Sequence, residues 1–134
     1  LGDPETQPIM MRLKSDLVEL CEAAIAGNLD SFSTDWDDRP ALGNVMAAGG
    51  YPDDYGQDFK IAGLPSQELD GIKVFHAGTK MQDGKVVTAG GRVLCVCALG
   101  DTIKEAQAKA YGLAETIQWE NVYYRTDIGF KAIK

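Results

Sequence analysis

Arg92 opens an almost wholly apolar run, Val93-Leu94-Cys95-Val96-Cys97-Ala98-Leu99, directly after a glycine pair. Charges are rarely buried unpaired, so its guanidinium either faces the rim of a strand or meets an anion. Guanidinium groups grip phosphate or carboxylate through a two-pronged fork, and an anion contact and a structural salt bridge fit this position equally. Asp3 and Glu5 lie in Gly2-Asp3-Pro4-Glu5-Thr6, just before a helical pattern. Carboxylates there commonly cap the helix; alternatively they bind a substrate amine or a magnesium-bound water. Gly49 and Gly50 begin Gly-Gly-Tyr-Pro after a short apolar stretch. Such a turn lets the backbone approach a ligand closely, but no GK[ST] follows, so it is not a phosphate loop and a plain turn is the commoner reading.

His76 is the sole histidine and lies in a strand pattern between Phe75 and Ala77. With no partner at ligand spacing, a zinc site is not expected. Cys95 and Cys97 share one face of a strand by period-two geometry and read as reduced core thiols. With Cys21 they make three cysteines and no CxxC pair, which argues for a reducing compartment. Arg125 and Asp127 read as a surface ion pair. The net charge of −7 disfavours a nucleic-acid partner. Nine carboxylates and two basic side chains between Asp30 and Asp70 read as a solvated surface. No apolar run is long enough for a membrane span, and no secretory leader pattern is present, so a cytoplasmic location is expected. The chain does not begin with Met, which suggests processing or a fragment.

The elements that must hold these residues follow from periodicity. Ile9, Met10, Leu13, Leu17, Leu20, Cys21, Ala24 and Ile25 form one apolar stripe, predicting a single long helix that stops near Gly27. Residues 28–40 read as a linker. Val45–Ala48 reads as a strand, followed by a long loop to Gly71 of the kind that is either functional or mobile. Strands are expected over Ile72–Met81, Lys85–Ala89 and Arg92–Leu99, with a two-residue turn at Asp83-Gly84, as an antiparallel meander. A near-continuous apolar strand such as the third is expected to be covered on both faces. Thr102 and Glu105 form a capping box for a last helix whose stripe is Ile103, Ala106, Ala110, Leu113, Ala114 and Ile117. One more short strand is expected between Val122 and Ile133. The residues alone thus describe an α+β domain with a glycine-rich surface and one exceptional arginine.

Five strings occur in order: GDPETQPIMMRLKSDLVELCEAA, VMAAGGYPDDYG, KVFHAGTK, VVTAGGRVLCVCALGDTIKEAQAKAY and YRTDIGFKAI. In series, they resemble phosphoribosylamine–glycine ligase (glycinamide ribonucleotide synthetase), an ATP-grasp ligase family, over nearly the whole chain. The resemblance implies the C-terminal part of an enzyme that joins glycine to 5-phosphoribosylamine with ATP in de novo purine synthesis, through a glycyl phosphate. It implies ATP as cosubstrate and Mg²⁺ or Mn²⁺, with the main metal ligands, a Glu and an Asn, upstream of Leu1. By the same resemblance, residues 1–38 are the end of the ATP-grasp domain. Residues 39–134 are then a C-terminal domain with an antiparallel sheet of rudimentary single-hybrid, barrel-sandwich type plus a packed helix.

The resemblance also orders the site residues. Asp3 and Glu5 match a segment beside the metal ligands and would face the substrate. Gly49, Gly50 and His76 match motifs expected near the cleft. Arg92 matches GGRV, a strand from which related ATP-grasp enzymes place a basic residue on the ribose phosphate. An isolated chain of this kind is expected to be inactive and to bind MgATP poorly. It should also expose the Leu13/Leu17/Leu20 stripe on which the ATP-grasp and N-terminal domains would pack. Two other readings stand beside the ligase: a non-catalytic interaction module retaining the fold, and one unit of a multifunctional purine enzyme.

Overall fold

A strand that is apolar at every position after its first must be covered on both faces, and β5 (Arg92–Leu99) is: Val93 to Leu99 are all buried. In the computed structural model, which describes residues 2–133, β5 lies inside a four-stranded antiparallel sheet. The order is β2 (Ile72–His76), β5, β1 (Ala41–Ala47), β6 (Tyr123–Tyr124). The strands β3 (Thr79–Gln82) and β4 (Lys85–Thr88) form a separate hairpin. Its turn residues Asp83 and Gly84 have φ of 49° and 71°, as a two-residue turn with both central residues left-handed requires.

One face of the large sheet is covered by α3 (Ile103–Ala114). Thr102 Oγ1 accepts from Glu105 N at 3.1 Å, and Glu105 Oε2 accepts from Asp101 N at 2.9 Å. Ala106, Ala110 and Ala114 recur every four residues and are fully buried, in one cluster with Leu42, Met46, Leu94, Val96 and Ala98. Burying a side chain such as Leu94 stabilises by roughly 1.5–3 kcal/mol, so this layer dominates the fold. The other face carries Cys95 and Cys97 and is covered by α1 (Thr6–Arg12). Gly43 admits α1 there: a Cβ at that position would lie 2.9 Å from Pro8 Cγ and 3.1 Å from Cys97 Sγ.

Register is regular along β1 and β5 until their end. Met46 faces Leu94 but Ala47 faces Arg92, so Val93 is an extra residue on β5. Such a bulge leaves two residues of one strand opposite one of the other.

Four expectations are corrected. The single long helix is two: α1 ends at Arg12, and α2 runs Leu17–Ile25. Asp16 breaks the pattern by accepting from Val18 N at 2.7 Å and Glu19 N at 3.4 Å, a new N-cap. Leu13 leaves the helix to bridge Trp36, and Asp37 N donates to Arg12 O at 2.7 Å. Second, the strand expected over Ile72–Met81 divides at Ala77-Gly78 into β2 and β3. Gly78 crosses the Gly90 backbone so closely that a Cβ would lie 2.7 Å from Gly90 Cα. Third, the strands are not a meander, because β5 pairs with β1 and β2 rather than with β4. Strand β1 also begins four residues earlier than expected, at Ala41. The helix stop near Gly27 (φ 70°), the long loop, α3 and the short strand β6 lie where the sequence places them.

Candidate functional site

Arg92 reaches out of the end of β5 with its side chain 46 % exposed. Its Nη2 lies 2.6 Å from Asp3 Oδ2, so the first turn of the chain and the central strand meet at this point. The guanidinium carbon lies 6.0 Å from the centre of the Tyr51 ring, within cation–π range. Tyr51 is brought there by the Gly-Gly-Tyr-Pro turn. Gly50 takes φ 95°, Tyr51 N donates to Ala48 O at 3.1 Å, and Asp53 N donates to Gly50 O at 2.9 Å. Tyr55, at the far end of the same turn, tilts against Tyr51 with ring centres 6.2 Å apart. Both rings lie on Gly91. A Cβ there would sit 2.7 Å from Tyr51 Cε2 and 3.1 Å from Tyr55 Cε1.

These groups line a cavity of about 370 Å³ together with Gln7 and Cys95. Gln7 follows Asp3 by four residues, and its Oε1 is buried with no hydrogen-bond partner among the described residues. Such an acceptor is costly to leave unmatched. Cys95 and Cys97 lie with sulphurs 3.6 Å apart and buried beneath α1. The hydrogen bond between them lowers the Cys95 thiol's pKa, whereas the same bond and burial raise that of Cys97.

The arrangement therefore joins one delocalised cation to acceptors, Asp3 and Gln7. A ligand that carries an anionic group and hydroxyl or amine donors fits both halves. Among the described residues, no group of three His, Cys, Asp or Glu side chains is gathered to hold a metal ion. The Asp3 carboxylate is directed at Arg92.

Of the sequence candidates, Asp3 and Arg92 come together. Glu5 precedes α1 without a side-chain capping bond and is not in the cavity lining. Gly49 packs on Asn121, where a Cβ would lie 2.6 Å from the Asn121 carbonyl oxygen, and Gly50 packs on Asp54; both shape the turn rather than line the cavity. His76 is exposed, with Nδ1 3.1 Å from Thr79 Oγ1, and lines a different cavity of about 470 Å³ with Lys73, Glu68, Leu69 and Leu113. Its neighbour Ala77 does line the Arg92 cavity. Sequence reading missed Gln7, Tyr51 and Tyr55. The four-residue step from Asp3 to Gln7 is a helical-face signal, and Tyr51 stands inside a motif read for its glycines alone. Arg125 and Asp127 form the expected exposed pair, 2.7 Å apart.

This fold, an antiparallel sheet with a helix on each face, is similar to part of a solved ligase structure. The crystal structure of phosphoribosylamine–glycine ligase from Thermotoga maritima matches 95 % of this chain with a TM-score of 0.74 and 37 % identity, over 31 % of that protein. Residues 41–131 match the family model described as phosphoribosylglycinamide synthetase, C domain, and the chain belongs to that family. Curated relatives named phosphoribosylamine–glycine ligase are 62 % identical in Vibrio cholerae, over 98 % of this chain, and 60 % identical in Escherichia coli, over 99 %. The chain spans 31 % of the length of each.

Proposed function

We propose that this chain is the C-terminal part of an ATP-dependent ligase that joins glycine to 5-phosphoribosylamine, giving glycinamide ribonucleotide, ADP and phosphate in de novo purine synthesis. In that reaction the glycine carboxylate takes the γ-phosphoryl group of ATP, and the phosphoribosylamine nitrogen then displaces phosphate from the glycyl phosphate. ATP and Mg²⁺ or Mn²⁺ would be held mainly by residues outside this chain. The role given to this chain is to bind and orient the phosphorylated sugar. The observation that carries this role is the exposed Arg92 guanidinium meeting Asp3 at the cavity rim. An exposed ion pair is worth about 0–1 kcal/mol, so a phosphate can take the place of Asp3 at small cost. The released carboxylate and Gln7 Oε1 then accept from the sugar hydroxyls or the amine.

The finer architecture belongs to the same proposal. Residues 1–38 are the end of an ATP-grasp domain, and residues 39–134 are a C-terminal domain of rudimentary single-hybrid, barrel-sandwich type. The apolar face of α2 supports a covering domain: Leu17, Val18 and Ile25 are 40 %, 65 % and 89 % exposed. The site would operate in the cytoplasm, and the chain alone would be inactive. In the full-length ligase, Arg92→Ala should raise the KM for phosphoribosylamine far more than that for ATP. An unchanged KM for phosphoribosylamine would overturn the assignment.

A further inference from the structure

The Arg92 side chain is long, about half exposed, and among the described residues is paired at its tip only with a carboxylate that is itself more than half exposed. Such a pair does not by itself hold a guanidinium in one place, because both side chains keep much of their rotamer freedom. The second constraint is aromatic. Tyr51 lies against the backbone of Gly91 and beneath the Arg92 guanidinium, and Tyr55 braces it from the side. Tyr51 is itself held by the turn, through its backbone N–H to Ala48 O, while Ala48 N donates to Gly91 O at 2.8 Å. The turn, Gly91 and Arg92 therefore form one connected unit. Glycine at position 91 is what allows the ring to reach the strand.

We propose that Tyr51 is a positioning residue for Arg92: its ring preorganises the guanidinium for the substrate's phosphate, and the Gly-Gly-Tyr-Pro turn exists to present that ring rather than to cradle a ligand with its own backbone. This rests on the reading that Arg92 takes the phosphate. A platform that limits the guanidinium before binding improves affinity without touching the ligand. A ring contact at a half-exposed cation corresponds to a change of about threefold to fivefold in affinity.

The test is steady-state kinetics of the full-length ligase carrying Tyr51→Leu, Tyr51→Phe, Arg92→Ala, and the Tyr51→Leu/Arg92→Ala pair. Tyr51→Leu should raise the KM for phosphoribosylamine about threefold to fivefold, leaving kcat and the KM values for ATP and glycine near those of the parent. Tyr51→Phe, which keeps the ring, should restore the parent KM. In the Arg92→Ala background, Tyr51→Leu should add nothing, because the group it positions is gone. If Arg92→Ala leaves the phosphoribosylamine KM unchanged, the phosphate reading itself fails. If Arg92→Ala raises that KM while Tyr51→Leu is silent, or adds the same factor in both backgrounds, the positioning role alone is overturned. A fall in kcat with equal rises in all three KM values marks a merely structural tyrosine and also overturns it. Should Tyr51→Leu not fold, Tyr51→Met fills similar space without an aromatic face and takes its place in the same comparison.

Discussion

Gly78→Ala would test the crossing that sets β2 and β3 against the approach to Arg92. A Cβ on Gly78 would lie 2.7 Å from Gly90 Cα, 2.9 Å from Gly90 N and 2.8 Å from Arg92 O. All three are backbone atoms, so no side chain can swing aside. Ordinary carbon contacts are about 3.5–4.0 Å, which leaves the two strands to part by roughly 0.7 Å or more. That movement stretches the hydrogen bonds Gly78 N to Arg92 O, at 2.9 Å, and Ala89 N to Gly78 O, at 2.7 Å. Overpacking costs about 1–3 kcal/mol and a weakened hydrogen bond about 0.5–1.5 kcal/mol, so a loss of about 2–4 kcal/mol is expected. For 134 residues the unfolding entropy is roughly 0.28 kcal/mol/K, which converts this to a fall in Tm of roughly 7–14 °C. Urea unfolding followed by circular dichroism should show a lower midpoint at an unchanged slope. A loss under about 0.5 kcal/mol would mean that the strands separate freely there, and the account of a rigid crossing beside Arg92 would be wrong.

Gly112→Ala should act in the opposite direction. Gly112 is exposed within α3 and a Cβ there would point into open space among the described residues, so alanine should stabilise by about 0.4–1 kcal/mol in the same urea assay. Thr102→Ala removes the acceptor for Glu105 N and should cost about 1 kcal/mol, with Thr102→Ser recovering most of it. The Arg39 guanidinium hydrogen-bonds Asp37 and holds its carboxyl well below the usual carboxylate range. A depressed folded-state pKa adds stability above the unfolded value, lost as pH falls through the folded one. The Tm deficit of Asp37→Asn should therefore be present at neutral pH and shrink below about pH 4; a deficit independent of pH would refute the pairing. A disulfide exchange reagent should label exposed Cys21 in the native chain and reach buried Cys95 and Cys97 only on unfolding.

Local signals with a strong mechanism were the most legible. The Thr102/Glu105 cap, the alanine spacing of α3, the Asp83-Gly84 turn and the span of β5 are all short-range features, and the structure keeps each where it was expected. Pairing between distant segments has no such signature. Nothing near Ala41 announces that it will lie against Leu99, so the strands read as a meander. The helix break was hidden because Leu13 and Leu17 continue the stripe on either side of it. Asp16 with Glu19 three residues on was the cap that marked the boundary. At the site, Arg92 was legible because a charge heading an apolar strand is exceptional. Its neighbour Tyr51 was not, because its role depends on a turn folding back over Gly91.

The extra residue at Val93 has a consequence for where positive charge can go. Counted by twos from Ala98 through Val96 and Leu94, residue 92 falls on the side roofed by α3, a dry layer of alanine and leucine that could not accept a guanidinium. Doubling Val93 and Leu94 opposite one residue of β1 changes odd to even at the last step. The chain thus delivers Arg92 to the side where Asp3 waits; paired without the extra residue, the same strand would turn it to the wrong side of the sheet.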